Sequence, residues 1–359
     1  MIVKTLKVRN FRNYEKAEAE FSPGLNLITG KNAQGKTNLL ESLVYLSMTR
    51  SHRVSNDRKL IRNDAPFADV SCVYDDGMER TLEAVIHPKG KTLKVRNQPV
   101  KKSSEFVGLL NVVLFAPDDL KIFTDAPASR RRVMNQEITK ISPKYLVALS
   151  RYQSLLKDRN ILLKGDRIDA NLLDTLDEQM AAAEAQVVFD RRRFAEYIDG
   201  KITDYYRELS NDTVIVRMRY KCCTDARESL RENLLKMHRD ARQADLEKRV
   251  TTCGIHHEDL IFEMNGTGIT SLASQGQKRM TMLSFKMALL DYIRLETNQS
   301  PVLLLDDVLS ELDSERQRKL LEMVSEPYQC MITATEIPEF MRNKEMKQFM
   351  VDDGKIISL

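Results

Sequence analysis

The sequence predicts an α/β protein, a phosphate-loop nucleotide-binding head interrupted by an all-α helical insertion. Three observations carry this expectation. The string Gly30-Lys31-Asn32-Ala33-Gln34-Gly35-Lys36-Thr37 stands between a strand pattern and a helix pattern. The apolar run Val302-Leu303-Leu304-Leu305 ends in Asp306-Asp307, as strands buried in a parallel sheet do. Between these two strings, strand patterns give way to long helical ones over 117–210.

Taken in order, Ile2, Leu6 and Val8 alternate with lysines, Tyr14 to Phe21 alternates again, and Leu25-Asn26-Leu27-Ile28-Thr29 leads into the glycine loop; all three read as strands. After Lys36, Leu39, Leu40, Leu43, Val44 and Leu46 recur at helical spacing. Residues 68–97 return to strand alternation, with Asp75-Asp76-Gly77 as a hairpin turn. Leu172, Leu176, Met180, Val187, Phe194 and Ile202 belong to a broken heptad. One unbroken helix there would extend only about 60 Å at 1.5 Å per residue. Thr213 to Tyr220 reads as a strand and Ala226 to Leu246 as a charged helix; Gly276 to Glu296 is helical, and Gln329 to Thr333 resembles the strand ending at Asp306. The expected divisions are therefore 1–116 for the first part of the ATPase domain, 117–210 for the inserted arm and 211–359 for the rest of the head.

Composition sets limits on function. The 359 residues exceed the size at which one core usually keeps growing, and 42% hydrophobic with 30% charged residues describes a globular chain. A formal charge of +4 gives no global attraction to nucleic acid, so any basic surface must be local. Cys72, Cys222, Cys223, Cys253 and Cys330 show no metal-type spacing and read as reduced thiols. Met1-Ile2-Val3-Lys4 runs straight into a strand pattern, and no apolar run reaches membrane-spanning length. The expected location is the cytoplasm, with no membrane partner.

The chemistry follows from residue type and spacing. Gly30 and Gly35 let successive N–H groups face phosphates at a helix start; Lys36 is placed to reach the β- and γ-phosphates of ATP, and the Thr37 hydroxyl to ligate Mg²⁺. Asp306, at a strand end, is the second metal-side group. Asp307 is placed to orient or deprotonate the attacking water, one methylene shorter than a glutamate, so slow turnover is expected. Ser274-Gln275-Gly276-Gln277 opens a helix with a capping serine and a small residue, a second anion-binding helix end. It has no role in a site built from the other two strings, and is explained if it completes the site of a second copy. Asp313, in Ser310-Glu311-Leu312-Asp313, is a further candidate nucleotide contact.

Together these strings resemble ATP-binding-cassette ATPases. With Val8-Arg9-Asn10-Phe11-Arg12-Asn13-Tyr14, Arg50-Ser51-His52-Arg53, Phe115-Ala116-Pro117-Asp118-Asp119-Leu120 and Arg130-Arg131-Arg132, the chain resembles the RecF family over nearly its whole length. The resemblance implies an SMC-like head with an inserted arm, ATP-dependent homodimerisation and weak ATPase activity. It also implies DNA binding at single-strand gaps or stalled forks, assistance to RecR and RecO in loading RecA, and support of the SOS response. Two departures stand out. No histidine follows His257, so the switch histidine of many cassette ATPases is missing and Thr333 or Thr335 occupies that region. In Gly254-Ile255-His256-His257-Glu258, Ile255 and His257 replace the family's proline and arginine.

Two other classes, a transporter's nucleotide-binding subunit and a chromosome-organising head, fit less well. The insertion between Thr37 and Ser274 is too large and helical for the first, and the arm too short for the second. Arg50, His52, Arg53, Arg58, Lys59 and Arg62, with the triplets Arg130-Arg131-Arg132 and Arg191-Arg192-Arg193, are candidate phosphate contacts, each weighed against an ordinary ion-pair role. His256 and His257 lack the partners of a zinc site.

Overall fold

The computed structural model describes residues 1–359, the side chains of 271 and 272 excepted. It divides into two compact units, Met1–Leu120 with Asp204–Thr213 and Arg279–Leu359, and Lys121–Thr203 with Val214–Lys278. The elements run β1 (Ile2–Phe11), β2 (Tyr14–Glu20), β3 (Leu25–Thr29), α1 (Lys36–Met48), β4 (Ala68–Asp75), β5 (Glu79–His87), β6 (Gly90–Val95), β7 (Gln98–Pro99) and β8 (Val112–Phe115). Then come α2 (Pro127–Ile141), α3 (Pro143–Lys164), α4 (Ala170–Ser210), β9 (Val216–Lys221), α5 (Leu230–Lys248), β10 (Asp259–Met264), β11 (Thr267–Gly268) and the single turn α6 (Ile269–Leu272). The chain closes with α7 (Gln275–Thr297), β12 (Val302–Asp306), α8 (Ser314–Val324), β13 (Cys330–Ala334), β14 (Lys347–Asp352) and β15 (Lys355–Ser358).

The first unit holds two six-stranded sheets. One is antiparallel, in the order β2-β1-β4-β5-β6-β7; the other has the order β15-β14-β3-β13-β12-β8 and is parallel except for the β14–β15 hairpin. Alternation explains the first: Val3, Leu6 and Val8 of β1 face inward while Lys7 and Arg9 face water. The second is buried on both faces, so β12 and β13 are buried at every position and read as continuous apolar runs. Leu39, Leu40, Leu43 and Leu46 of α1 join Val8, Tyr14, Val70 and Ile86 of one sheet and Ile28, Leu304 and Met331 of the other in one core. In the parallel sheet, β13 lies between β3 and β12, which brings the loop after β3 and the carboxylates after β12 to the same end of the sheet.

The second unit contains α2, α3, most of α4, α5 and the three-stranded sheet β11-β10-β9. Here the expected divisions need correcting. The segment 214–278, assigned from sequence to the ATPase head, belongs with the helical lobe, and 204–210, assigned to the arm, with the first unit. β9 is bonded to α4, the Met218 N–H donating to Asp199 Oδ1 at 2.8 Å, and its partner strand β10 to α2, Arg130 meeting Asp259 at 2.7 Å. The two strands pair in antiparallel register from Lys221 opposite Asp259 to Val216 opposite Met264. The lobe is therefore not purely helical. α4 is one unbroken helix of 41 residues; Leu176, Met180, Val187, Phe194 and Ile202 of the expected repeat are buried in it, whereas Leu172 is exposed and its neighbour Leu173 is buried. Buried ion pairs hold the lobe together: Arg159, fully buried, meets Asp177 and Asp245 at 2.7 Å each. All five cysteines are free, as their spacing suggested. No helix among the described residues is long and apolar enough to cross a membrane.

Candidate nucleotide site

The phosphate loop begins where β3 ends. Gly30 has φ +146°, and a Cβ there would stand 2.3 Å from the Val351 carbonyl oxygen; Gly35, at φ +122°, would collide with Asn13 Nδ2 at 2.7 Å. Both positions thus need glycine for conformation and for space. Gly35 caps α1 without a side-chain bond, so the first-turn N–H donors remain available to an anion, with the positive helix end behind them.

Neighbouring strands brace this loop. Asn13 Nδ2 donates to the Gln34 carbonyl at 2.8 Å, and the Tyr14 hydroxyl donates to the Gly35 carbonyl at 3.0 Å. From the β14–β15 turn, the Asp353 N–H donates to Gln34 Oε1 at 2.5 Å and the Gly354 N–H to the Gln34 carbonyl at 3.1 Å. Lys36 is 7% exposed, and its Nζ donates to the carbonyls of Gly30 at 2.5 Å and Lys31 at 2.9 Å. Burial pushes its ammonium below the ordinary lysine range, opposed by Asp307 and Asp306. An arriving triphosphate would supply the negative partner that this ammonium otherwise finds in two carbonyl dipoles.

Thr37 and Asp306 meet across the sheet, with the threonine hydroxyl 2.9 Å from Asp306 Oδ1. A second hydroxyl, that of buried Thr333 on β13, donates to the same oxygen at 2.8 Å and accepts the N–H of Asp307 at 2.9 Å. Asp307 sits in the left-handed region at φ 54°, and its carbonyl accepts from the Ser310 hydroxyl at 2.8 Å. Its backbone is held at both ends. Beside it opens a cleft of about 400 Å³ lined by Ser310, Gln317, Thr335 and Glu336.

A hydroxyl and a carboxylate sharing one locus are hard oxygen ligands of the kind Mg²⁺ takes, with phosphate oxygens and water completing its shell. Thr37 and Asp306 therefore fit the ion, which would neutralise phosphate charge during hydrolysis. Of the two threonines considered from sequence, Thr333 lies inside the site and Thr335 lines the adjoining cleft.

Arg12 makes a bidentate pair with fully buried Glu41 of α1, at 2.8 and 2.7 Å, and the Ser51 hydroxyl bonds to the same carboxylate. Arg53 stands 3.6 Å from Glu41 and donates to Asn38 Oδ1 at 2.9 Å; Asn38 in turn donates to Asn13 at 2.8 Å. The loop of residues 50–53 is thereby tied to the phosphate loop. Glu41 was not legible as part of a site: a lone acidic residue in an apolar helix gives no signal of its partners.

Asp313 is placed as a helix cap, its Oδ1 accepting the Arg316 N–H at 3.0 Å at the start of α8. Ser274-Gln275-Gly276-Gln277 belongs to the second unit and forms a capping box. Ser274 Oγ accepts the Gln277 N–H at 3.2 Å, and Gln277 Oε1 accepts the Ser274 N–H at 2.9 Å. Ser274, Gln275 and Gly276 are exposed. A Cβ on Gly276 would meet only Ser274 Oγ, at 3.9 Å, so the local fold does not call for glycine there.

The arginine triplets are mostly spent internally. Arg130 makes a bidentate pair with Asp259 at 2.7 and 2.8 Å, and Arg131 donates to the Glu258 carbonyl. Arg191, 2% exposed, is bound to Glu258, Asn135 and Tyr145, and Arg192 donates to the carbonyls of Thr224 and Ala226. His256 bonds to the Tyr152 hydroxyl at 2.5 Å, and burial with the neighbouring His257 lowers its pKa to about 4.

The family model for the RecF/RecN/SMC N terminal domain matches residues 2–357. The chain is 38% identical to the DNA replication and repair protein RecF of Listeria innocua over 367 residues, covering 99% of each chain. It is 36% identical to the protein of that name from Limosilactobacillus reuteri, covering 99% of this chain and 98% of that one. A solved structure of the recombination mediator protein RecF with ATP, of the RecFOR pathway, superposes with a TM-score of 0.91 at 33% identity, covering all of this chain and 97% of that one. An Smc head bound to the C-winged helix domain of ScpA superposes at 0.60 with 18% identity, covering all of this chain and 98% of that one, a likeness of fold alone.

Proposed function

From the premise that the chain belongs to the RecF family, we propose that it is an ATP-operated clamp of recombinational DNA repair. It binds ATP with Mg²⁺ through Gly30–Thr37 and Asp306, dimerises on ATP, and in that state binds DNA at single-strand gaps or stalled forks. There it supports RecA loading with RecO and RecR, and the SOS response, in the cytoplasm. Hydrolysis is slow and releases the clamp.

Each residue has a task. Lys36 and the α1 N-terminus bind and orient the triphosphate. Thr37 and Asp306 would hold the metal, and the Thr333 hydroxyl fixes both Asp306 and the backbone of Asp307. Asp307 then orients or accepts a proton from the attacking water; its short side chain leaves that alignment imperfect, so the enzyme acts as a timer. Asp313, as cap of α8, presents the preceding loop to the partner copy.

The observation that carries the dimer is the helix end at Ser274–Gly276. It is exposed, carries its own cap, and has a glycine its surroundings do not require. Such a surface suits close approach to the γ-phosphate held by a second copy. Light scattering with a non-hydrolysable ATP analogue tests this: wild type should double in mass, and Ser274→Arg should bind the analogue yet stay monomeric. A Ser274→Arg dimer of wild-type affinity removes the shared site.

A further inference from the structure

The β5–β7 ribbon carries a concentration of charge that no part of the nucleotide site uses. Residues 88–104 contain Lys89, Lys91, Lys94, Arg96, Lys101 and Lys102, and no carboxylate. Two of the six are neutralised: Lys91 meets Asp57 at 2.9 Å and Lys94 meets Glu83 at 2.7 Å. Lys89, Arg96, Lys101 and Lys102 are exposed and have no ion-pair partner among the described residues.

The four free cations follow one edge of the antiparallel sheet, where β7 is the terminal strand. Lys89 stands in the turn between β5 and β6, and Arg96 in the turn between β6 and β7, both of whose residues have positive φ. The Val100 N–H still bonds to the Leu93 carbonyl at 2.9 Å, so Lys101 and Lys102 leave the edge part way between those turns. With six residues in β6, the edge is about 20 Å long at 3.3 Å per residue.

Cations on an edge strand can serve simply to repel other strands. This edge does not need them for that: β7 has only two residues, one of them Pro99, and a short strand with proline is already blunted. Elsewhere on the sheet, Lys4 is paired with Asp75 and Glu79 and Lys7 with Glu18, and the exposed Lys16 of β2 stands alone rather than in a row. A row of unpaired cations beside mixed-sign neighbours matches a polyanion with evenly spaced charges. A DNA strand presents one phosphate per about 3.4 Å of axis.

We infer that the edge formed by Lys89, Arg96, Lys101 and Lys102 is a docking surface for the DNA phosphate backbone. The inference rests on the DNA-binding reading above and adds where the contact is made. The surface carries no base readout, so it contributes affinity without sequence preference.

The test uses the full chain with all four residues replaced by glutamine, and a second variant, Lys101→Glu with Lys102→Glu. Binding of a labelled gapped duplex is measured with the ATP analogue over a range of salt. Four phosphate contacts predict that the quadruple variant loses at least about tenfold in affinity at low salt and that the log–log salt slope flattens by about 3 to 4. ATP binding and DNA-free hydrolysis should not change. A variant with wild-type affinity and slope overturns the assignment while leaving the clamp intact, and so does one whose only defect is aggregation or loss of binding to an acidic protein. Wild-type protein that fails to bind DNA in every nucleotide state instead sinks the DNA-binding reading itself.

Discussion

The Thr333 hydroxyl donates to Asp306 Oδ1 at 2.8 Å and in the same position accepts the N–H of Asp307. One buried side chain on the strand between the phosphate loop and the metal-side carboxylate thus sets the geometry of two acidic residues. Thr333→Val keeps the shape and removes both bonds. The loss should cost about 1–3 kcal/mol of stability, and hydrolysis should fall at least about tenfold through misplacement of Asp307, with ATP affinity reduced less. Thermal unfolding and single-turnover hydrolysis check this; unchanged turnover would mean that the bonds to Thr333 are only structural.

Lys36 is a buried cation whose hydrogen-bond partners among the described residues are the carbonyls of Gly30 and Lys31. Removing the charge with Lys36→Met should therefore leave the melting temperature unchanged or raise it, since burial of the ammonium, which outweighs the attraction of Asp307 and Asp306, opposes folding. The same variant should lose the rise in melting temperature that ATP gives wild type, about 2.7 kcal/mol of stabilisation at a hundredfold excess over Kd. A Lys36→Met protein that ATP still stabilises to that extent would exclude Lys36 from phosphate binding.

Much of the nucleotide site was legible because its strings are local. Gly30–Thr37 and Leu305-Asp306-Asp307 carry their proposed roles in contiguous residues, and the alternation or continuity of apolar positions located the strands around them. Thr333 was legible only as one of two candidates, since the choice depends on which threonine faces β12. The bracing of Gln34 by Asp353 and Gly354 joins residues more than 300 positions apart, and that by Asn13 joins residues 21 apart in different elements, neither of which a local pattern can reveal. The extent of the inserted lobe was misjudged for the same reason: the pairing of β9 with β10 spans the whole of α5, so the strand at Val216 looked like a return to the head. The arginine triplets show the limit of charge counting, because Arg191 is as conspicuous in sequence as an exposed cation yet lies buried against Glu258.

Glu41 gives a pH signature. Burial alone would raise its pKa, but the Arg12 guanidinium and the Ser51 hydroxyl outweigh burial and hold it below the usual carboxylate range. A carboxylate with a depressed folded-state pKa contributes stability above its unfolded pKa, near 4.5, and loses it as pH falls through the lower folded value. Glu41→Gln should therefore cost about 2–3 kcal/mol at pH 7. The gap from wild type should be flat between pH 8 and about 5 and narrow below about 4.5. Chemical denaturation at several pH values checks it. A gap that persists undiminished in acid would show that packing of α1, not the charge pair, is responsible.

Gly276 lets folding be tested apart from the proposed association. It is the second residue of α7, an exposed helix position where a Cβ meets nothing closer than 3.9 Å. Glycine there costs roughly 0.5–1 kcal/mol relative to alanine, so Gly276→Ala should raise the stability of the isolated chain slightly. If the helix end closes over a partner's γ-phosphate, the added methyl group lies where the two molecules must come closest, and ATP-driven dimerisation should weaken at least about tenfold. Calorimetry of the nucleotide-free protein and sedimentation with the ATP analogue measure the two effects on one sample. A variant that is more stable and dimerises like wild type would mean that Gly276 does not face the partner. One that is less stable would mean that the glycine serves its own subunit after all.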